Sequence, residues 1–265
     1  MTNDAALSIG VAGALGPDSI ARIAAAVEAA GFYALWVNDT PGGDSLAALA
    51  AAAQSTEHLV LATGVLPVDR RPAARIAAEA ASLPQERLVL GIGSGGTRTG
   101  VLPVMRGAIS DLRRDTGARI LLGALGPKMR RLAATDADGP LLSWLTPGAA
   151  AAQASEARAA AVPASGAHAA NPAAHVALYV RTALDTAAAE RLRAEAGRYG
   201  SYPQYAANFA RLGVAPGDTV ASPSDAAERV AAYRRGVDEV VLRAITPGDA
   251  DHDYLRFVEQ ASALL

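Results

Sequence analysis

The chain has 265 residues, a formal net charge of −2, 51% hydrophobic and 19% charged residues, and no cysteine. Length and apolar content suffice for a large buried core, which excludes a disordered chain. The missing cysteines exclude disulfides, zinc–thiolate and iron–sulfur sites and cysteine nucleophiles, and the absence of a basic stripe argues against nucleic acid or an anionic membrane as partner.

Met1–Gly10 lacks a basic segment followed by an apolar run, the mark of a secretory signal. Gly139–Ser155, the most apolar uncharged stretch, is interrupted by Pro140, Pro147 and Gly148 and does not read as a membrane span. A soluble, cytoplasmic protein is the expectation.

Eight short apolar or β-branched runs are predicted as strands: Leu7–Ala12, Tyr33–Val37, Leu59–Leu66, Leu88–Ile92, Arg119–Gly123, Leu141–Trp144, His175–Val180 and Glu239–Leu242. Helical stretches separate them. Gly16-Pro17-Asp18-Ser19 puts Pro at the first helical position and an acid in the first turn, after which Ile20, Ile23 and Val27 share one face. Ser222-Pro223-Ser224-Asp225 reads as a second such start. Gly31, Gly139 and Gly236 precede the second, sixth and eighth runs and suit left-handed positions after a helix. Ala149–Ala174, the longest gap, reads as a helix followed by a loop at Val162–Pro172, and a last helix is predicted at Tyr254–Leu264. Strict alternation over eight strands, in a chain near the roughly 250 residues usual for it, predicts one (β/α)8 barrel domain spanning the whole chain.

In such a barrel the working face lies at the C-terminal ends of the strands, so the residues after each run are the candidates. The second run leads into Asn38-Asp39-Thr40-Pro41, where Asp39 is a general acid or base, an orienter of the substrate, or an acceptor of loop N–H groups. Thr63-Gly64-Val65 interrupts the third run, and a Gly there signals a bulge or a close approach of backbone to a ligand. Arg70 and Arg71 follow, either meeting an anion or lying on the surface. The fourth run enters Gly91-Ile92-Gly93-Ser94-Gly95-Gly96, a G-x-G-x-x-G pattern whose missing Cβ atoms admit a phosphate to backbone N–H groups. Its mid-chain position, and the lack of an acid where the next run ends at Leu122-Gly123, argue against a dinucleotide fold. The fifth run enters Gly123-Ala124-Leu125-Gly126-Pro127-Lys128, where Pro127 opens a helix and leaves N–H groups for an anion. Trp144 ends the sixth run, to stack on a ring or to fill the barrel top. Arg181 and Arg243 follow the seventh and eighth. His58 and His175 fall at the opposite end, His168 in the long loop and His252 in the tail, so no metal site is predicted.

Taken in order, Ala30–Asp39, Ala62–Pro67, Leu90–Gly95, Leu122–Pro127 running into Ala134–Gly139, and Tyr202–Gly213 resemble the bacterial luciferase-like superfamily. The resemblance covers nearly the whole chain. It implies a luciferase-like (β/α)8 TIM barrel holding coenzyme F-420, a deazaflavin, or alternatively FMN. Gly93, Ser94, Gly95, Gly123, Ala124, Leu125 and Gly126 would hold the cofactor phosphate. Thr63, Gly64 and Val65 would form a bulge behind the ring, with a non-prolyl cis peptide at Gly64–Val65. Asp39 would be catalytic, and Asn38, Trp144 and Arg181 would face the substrate. Relatives that act on sugar phosphates with F-420 have His after the acid; here Thr40 stands there, so that chemistry does not transfer. The chain is also short for the superfamily, which implies trimmed loops and a small lid. That favours F-420-dependent hydride transfer on a small organic molecule over an FMN-dependent monooxygenase, with a non-catalytic flavin-binding barrel as a further alternative. A homodimer is the family expectation.

Overall fold

A computed structural model of the chain describes residues 4–40, 42–161 and 174–265. Pro41, His168 and the predicted loop Val162–Pro172 lie outside the described residues. The strands are β1 (Ala6–Ala12), β2 (Ala34–Asn38), β3 (Val60–Thr63), β4 (Leu66–Pro67), β5 (Leu88–Gly93), β6 (Arg119–Gly123), β7 (Gly139–Ser143), β8 (Ala177–Thr182) and β9 (Glu239–Ala244). The helices are α1 (Pro17–Ala29), α2 (Ser45–Gln54), α3 (Ala73–Ala80), α4 (Val101–Asp115), α5 (Pro127–Asp136), α6 (Pro147–Ala161), α7 (Ala189–Ser201), α8 (Pro203–Leu212), α9 (Ala226–Arg234) and α10 (Asp251–Ser262).

All strand pairs are parallel, in the order β3-β2-β1-β9-β8-β7-β6-β5-β4, and β3 also pairs with β5. That pairing, through Leu61 with Leu88 and Ala62 with Val89, closes the ring. β3 and β4 are the predicted third strand, interrupted at Gly64-Val65, so eight strand positions make a (β/α)8 barrel.

Strand alternation sorts the side chains. Ala34, Trp36, Ala62, Val89, Leu121, Leu141, Ala177, Tyr179 and Val241 form a cluster inside the ring. Their neighbours, among them Ile9, Leu35, Leu61, Leu90, Leu122, Leu178 and Leu242, face outward under the helices in the main core. Helix α1 lays Ile20, Ile23 and Val27 on that layer, with Pro17 at its start. At the N-terminal end of the ring Glu239, 1% exposed, accepts hydrogen bonds from Ser8 Oγ (2.6 Å) and Trp36 Nε1 (2.6 Å) and lies 2.9 Å from His175 Nε2.

Three local readings need correction. Pro223 does not open a helix: α9 begins at Ala226, because the Asp225 carboxylate turns back to the Ser222 N–H (2.8 Å) and hydroxyl (2.5 Å). Gly31 has the left-handed φ of 87°, but Gly236 is not among the positive-φ glycines. Gly139 opens β7 with φ 149°, and a Cβ there would run into the backbone of His175.

Burial pushes the Asp225 carboxyl up, but the Ser222 hydroxyl, Arg229 and the Ser222 N–H outweigh it and hold it below the ordinary aspartate value. A depressed carboxyl stabilises the fold above its unfolded value, near ~3.9, and loses that contribution as pH falls through the folded value. Asp225→Asn is therefore expected to cost about 1 kcal/mol at pH 7. The difference from wild type should shrink between pH 7 and a pH below the folded value. Urea unfolding at both pH values checks this; a pH-independent difference would contradict it.

Candidate active site

The C-terminal mouth of the ring is organised around Gly64-Val65. The peptide bond between them is cis, as the resemblance implies. Thr63 Oγ1 donates to the Gly91 carbonyl (3.1 Å), and Asn38 Nδ2 donates to the Gly64 carbonyl, so β2 and β5 grip the bulge from both sides. The Val65 side chain then lies across the ends of β5 and β6. A Cβ on Gly93 would stand 2.8 Å from Val65 Cγ2, and one on Gly123 would stand 3.4 Å from Val65 Cγ1. Gly93 thus makes room for a side chain of the barrel itself, while at Gly123 Val65 stands at ordinary contact distance.

Directly across the ring from the bulge stands Tyr179 of β8. A Cβ on Gly64 would fall 2.7 Å from Tyr179 Cζ and 2.9 Å from Cε2, with the hydroxyl nearer still. Tyr179 meets Trp36 edge to face at 5.8 Å, and Trp36 is bonded to Glu239. A column thus rises from the barrel base to the mouth. Burial drives the Tyr179 hydroxyl far above its ordinary value, while Arg243 and Arg181 pull the other way, so it stays protonated at any ordinary pH.

Seven buried side-chain polar atoms among the described residues have no hydrogen-bond partner. Four belong to residues at the mouth: Asn38 Oδ1, Thr40 Oγ1, Trp144 Nε1 and Tyr179 OH. Buried polar groups are normally satisfied, so this concentration sets the mouth apart from the rest of the fold.

The two glycine-rich loops differ. After β5, Gly95 has φ 58°, and the Gly96 N–H donates to Asp69 Oδ2 at 2.7 Å. A carboxylate of the chain already occupies that turn. After β6, Gly126 precedes α5 with no side-chain cap and no acid in the first turn. The Leu125 carbonyl is held by Arg130 (3.2 Å) and Arg211 (3.1 Å), so cationic groups converge on an uncapped helix start.

Asp39 is 7% exposed at its side chain. It accepts from the Ser45 N–H (3.3 Å) and hydroxyl (3.1 Å) and lies 3.6 Å from Arg71. Arg71 also meets Asp44 (3.1 Å) and Glu79 (3.2 Å), and Arg70 Nη2 donates to the Asp39 carbonyl (3.1 Å). Of the roles open to Asp39, these contacts are those of a loop anchor, and both arginines serve the same loop.

Trp144 has φ 59°, which residues with a side chain seldom adopt. It is 1% exposed, with the Arg181 guanidinium 4.1 Å over its ring and Tyr199 at 4.6 Å. Arg181 donates to Ser143 Oγ, approaches Glu195 at 3.4 Å and lies over the Tyr199 ring at 4.8 Å. Trp144 therefore fills the barrel top, and its ring is not open to stack on a ligand. With Leu192, Ala196 and Phe209 it forms a separate core that seats α7 and α8 on the mouth. The expected small lid is corrected here: the segment from β8 to α9 carries both helices.

The structure thus brings Asn38, Gly64, Val65, Gly93 and Gly123 together, with Ser94 and the Ala124–Gly126 turn beside them. Sequence reasoning missed Tyr179, Glu239 and Asp69. Tyr179 and Glu239 lie in strand runs indistinguishable from core, and nothing in the spacing marks Asp69 as a partner of the loop after β5.

No curated protein matches the chain in sequence. Residues 3–102 match the family model described as luciferase-like monooxygenase. Among solved structures, the coenzyme F-420-dependent tetrahydromethanopterin reductase from Methanopyrus kandleri superposes with a TM-score of 0.78 at 16% identity, covering 99% of this chain and 98% of that one. An F-420-dependent secondary alcohol dehydrogenase in complex with an F-420–acetone adduct gives 0.72 at 16% identity, over 97% and 98%. The oxygenating constituent of 3,6-diketocamphane monooxygenase from Pseudomonas putida, in complex with FMN, gives 0.68 at 14% identity, over 97% of each chain. The fold is the luciferase-like (β/α)8 barrel.

Proposed function

We propose that this barrel is an oxidoreductase that binds coenzyme F-420 in its mouth for hydride transfer to or from a small organic substrate. The observation that carries the reading is the mouth itself, where the cis Gly64-Val65 bulge lies and the buried Asn38 Oδ1, Thr40 Oγ1 and Tyr179 OH stand without partners. Both features suit a planar ring laid against the Gly64-Val65 bulge. Two of the solved structures most like this chain are F-420-dependent by their descriptions, which supports F-420 over FMN.

In this reading Thr63, Gly64 and Val65 back the ring, and Asn38 orients the bulge. Ser94, Gly123 and the turn Ala124-Leu125-Gly126 at the start of α5 hold the phosphate, since the Gly96 N–H is already taken by Asp69 and Gly93 is crowded by Val65. The bound cofactor supplies the hydride chemistry. Tyr179, protonated and unpartnered, can donate a hydrogen bond into the mouth. Asp39 acts as a positioning residue through the loop it anchors. The α7–α8 cover limits water on one side of the mouth.

Titration of the cofactor-free protein with F-420 and, separately, FMN, followed by cofactor fluorescence, tests the reading. Gly126→Asp is the control. The Gly126 backbone is extended and a Cβ there meets nothing within 4 Å, so the fold should persist while the added carboxylate caps α5 and repels phosphate. Tight F-420 binding, weakened at least about tenfold in the variant, is expected. Tight binding of FMN alone would replace this reading with the flavin monooxygenase, and binding of neither would overturn both.

A further inference from the structure

Arg243 is paired in register with Arg181 on one side and Gly10 on the other. It shares strand parity with Val241, which faces the ring interior. A Cβ on Gly10 would stand 3.1 Å from Val241 Cγ1, 3.2 Å from Tyr179 Cε1 and 3.4 Å from Arg243 Cα. Gly10 therefore faces the same interior, where Val241 and Tyr179 pack against it and β1 presents no side chain beside Arg243. Arg181 beside it is committed to Glu195, Ser143 and two aromatic rings. Arg243 is not: its hydrogen bond goes to the carbonyl of its own neighbour Ala244, and among the described residues no carboxylate lies within ion-pair distance of it.

A half-buried guanidinium without a counter-charge is unfavourable by itself and is relieved by an anionic ligand. The neighbouring strand β8 carries Tyr179, whose unpartnered hydroxyl reaches across the ring to Gly64 and feels the charge of Arg243. In the ring order, β9 stands opposite β5, across the mouth from the phosphate loops. The anion that Arg243 meets therefore belongs to the second molecule in the mouth.

We propose that Arg243 and the Tyr179 hydroxyl form a carboxylate subsite, and that the substrate is a small organic acid. One uncommitted guanidinium balances one negative charge, and its planar fork matches a carboxylate; a phosphate dianion would leave charge uncompensated. The inference rests on the mouth being the working site.

The test uses cofactor-free protein, so it reads out whether or not F-420 binds. Benzoate and acetate are titrated against their neutral partners benzamide and acetamide, and against inorganic phosphate, by calorimetry and by the fluorescence of Trp36 and Trp144. At least one carboxylate should bind about tenfold or more tightly than its amide, less so at high salt. Arg243→Gln should abolish the preference and Arg243→Lys should keep part of it, with melting temperatures confirming that both variants fold. No carboxylate preferred over its amide, an unchanged preference in Arg243→Gln, or a tighter binding of phosphate than of either acid that Arg243→Gln abolishes would each overturn the proposal.

Discussion

Replacing Glu239 with alanine is expected to lower the unfolding free energy by about 4 kcal/mol, the largest single-residue effect outside the apolar core. The carboxylate is buried at the barrel base, where it accepts from Ser8 and Trp36 and meets His175. Truncation leaves these polar groups without a partner and opens a cavity between β1, β8 and β9. Each unsatisfied buried donor costs about 1–3 kcal/mol. Glu239→Gln keeps one oxygen for Ser8 and Trp36, and its amide nitrogen can face His175, whose ring can accept instead of donate. That variant should lose only about 1–2 kcal/mol. Equilibrium urea unfolding of the pair decides the matter. If the alanine variant lies within about 1 kcal/mol of wild type, the network does not hold the base.

Gly64→Ala is expected to cost about 3 kcal/mol and to weaken cofactor binding. The added methyl would meet the ring and hydroxyl of Tyr179 inside contact distance. That ring is pinned by Trp36 and cannot swing aside, so either the bulge or the tyrosine moves. Tyr179→Leu removes the obstacle at a cost of its own, about 2–3 kcal/mol. The two losses should not add: the double variant should be at least about 1 kcal/mol more stable than their sum. Additivity within about 0.5 kcal/mol would show that the close approach of bulge and tyrosine does not limit position 64.

Acid stability, cofactor affinity and carboxylate preference probe three separate parts of the molecule. Asp225 lies on the loop before α9, Gly126 at the start of α5, and Arg243 on the opposite wall of the mouth. Failure of one leaves the other two readable.

The amino-acid sequence by itself determined the architecture. Buried parallel strands read as short apolar runs, and alternation with helices at this length leaves little but the closed barrel. It also placed the strand-three interruption at Gly64-Val65, because a glycine inside a strand pattern signals a break in the ladder. What only tertiary structure decided is which residues meet across the ring. Gly93 and Gly123 read alike as phosphate glycines, yet Val65, from the interruption between β3 and β4, crowds Gly93 and leaves Gly123 at ordinary contact distance. Trp144 reads either as a ring to stack on a ligand or as filler of the barrel top, and α7 and α8 cover it there together with Arg181. Asp39 reads along the chain as an acid or base, an orienter of the substrate or an acceptor of loop N–H groups, and only the fold brings Ser45 and Arg71 to it. Period and turn chemistry are local and legible along the chain. The partner of a strand-end side chain is set by closure of the ring, which brings together residues such as Gly64 and Tyr179 that no local pattern connects.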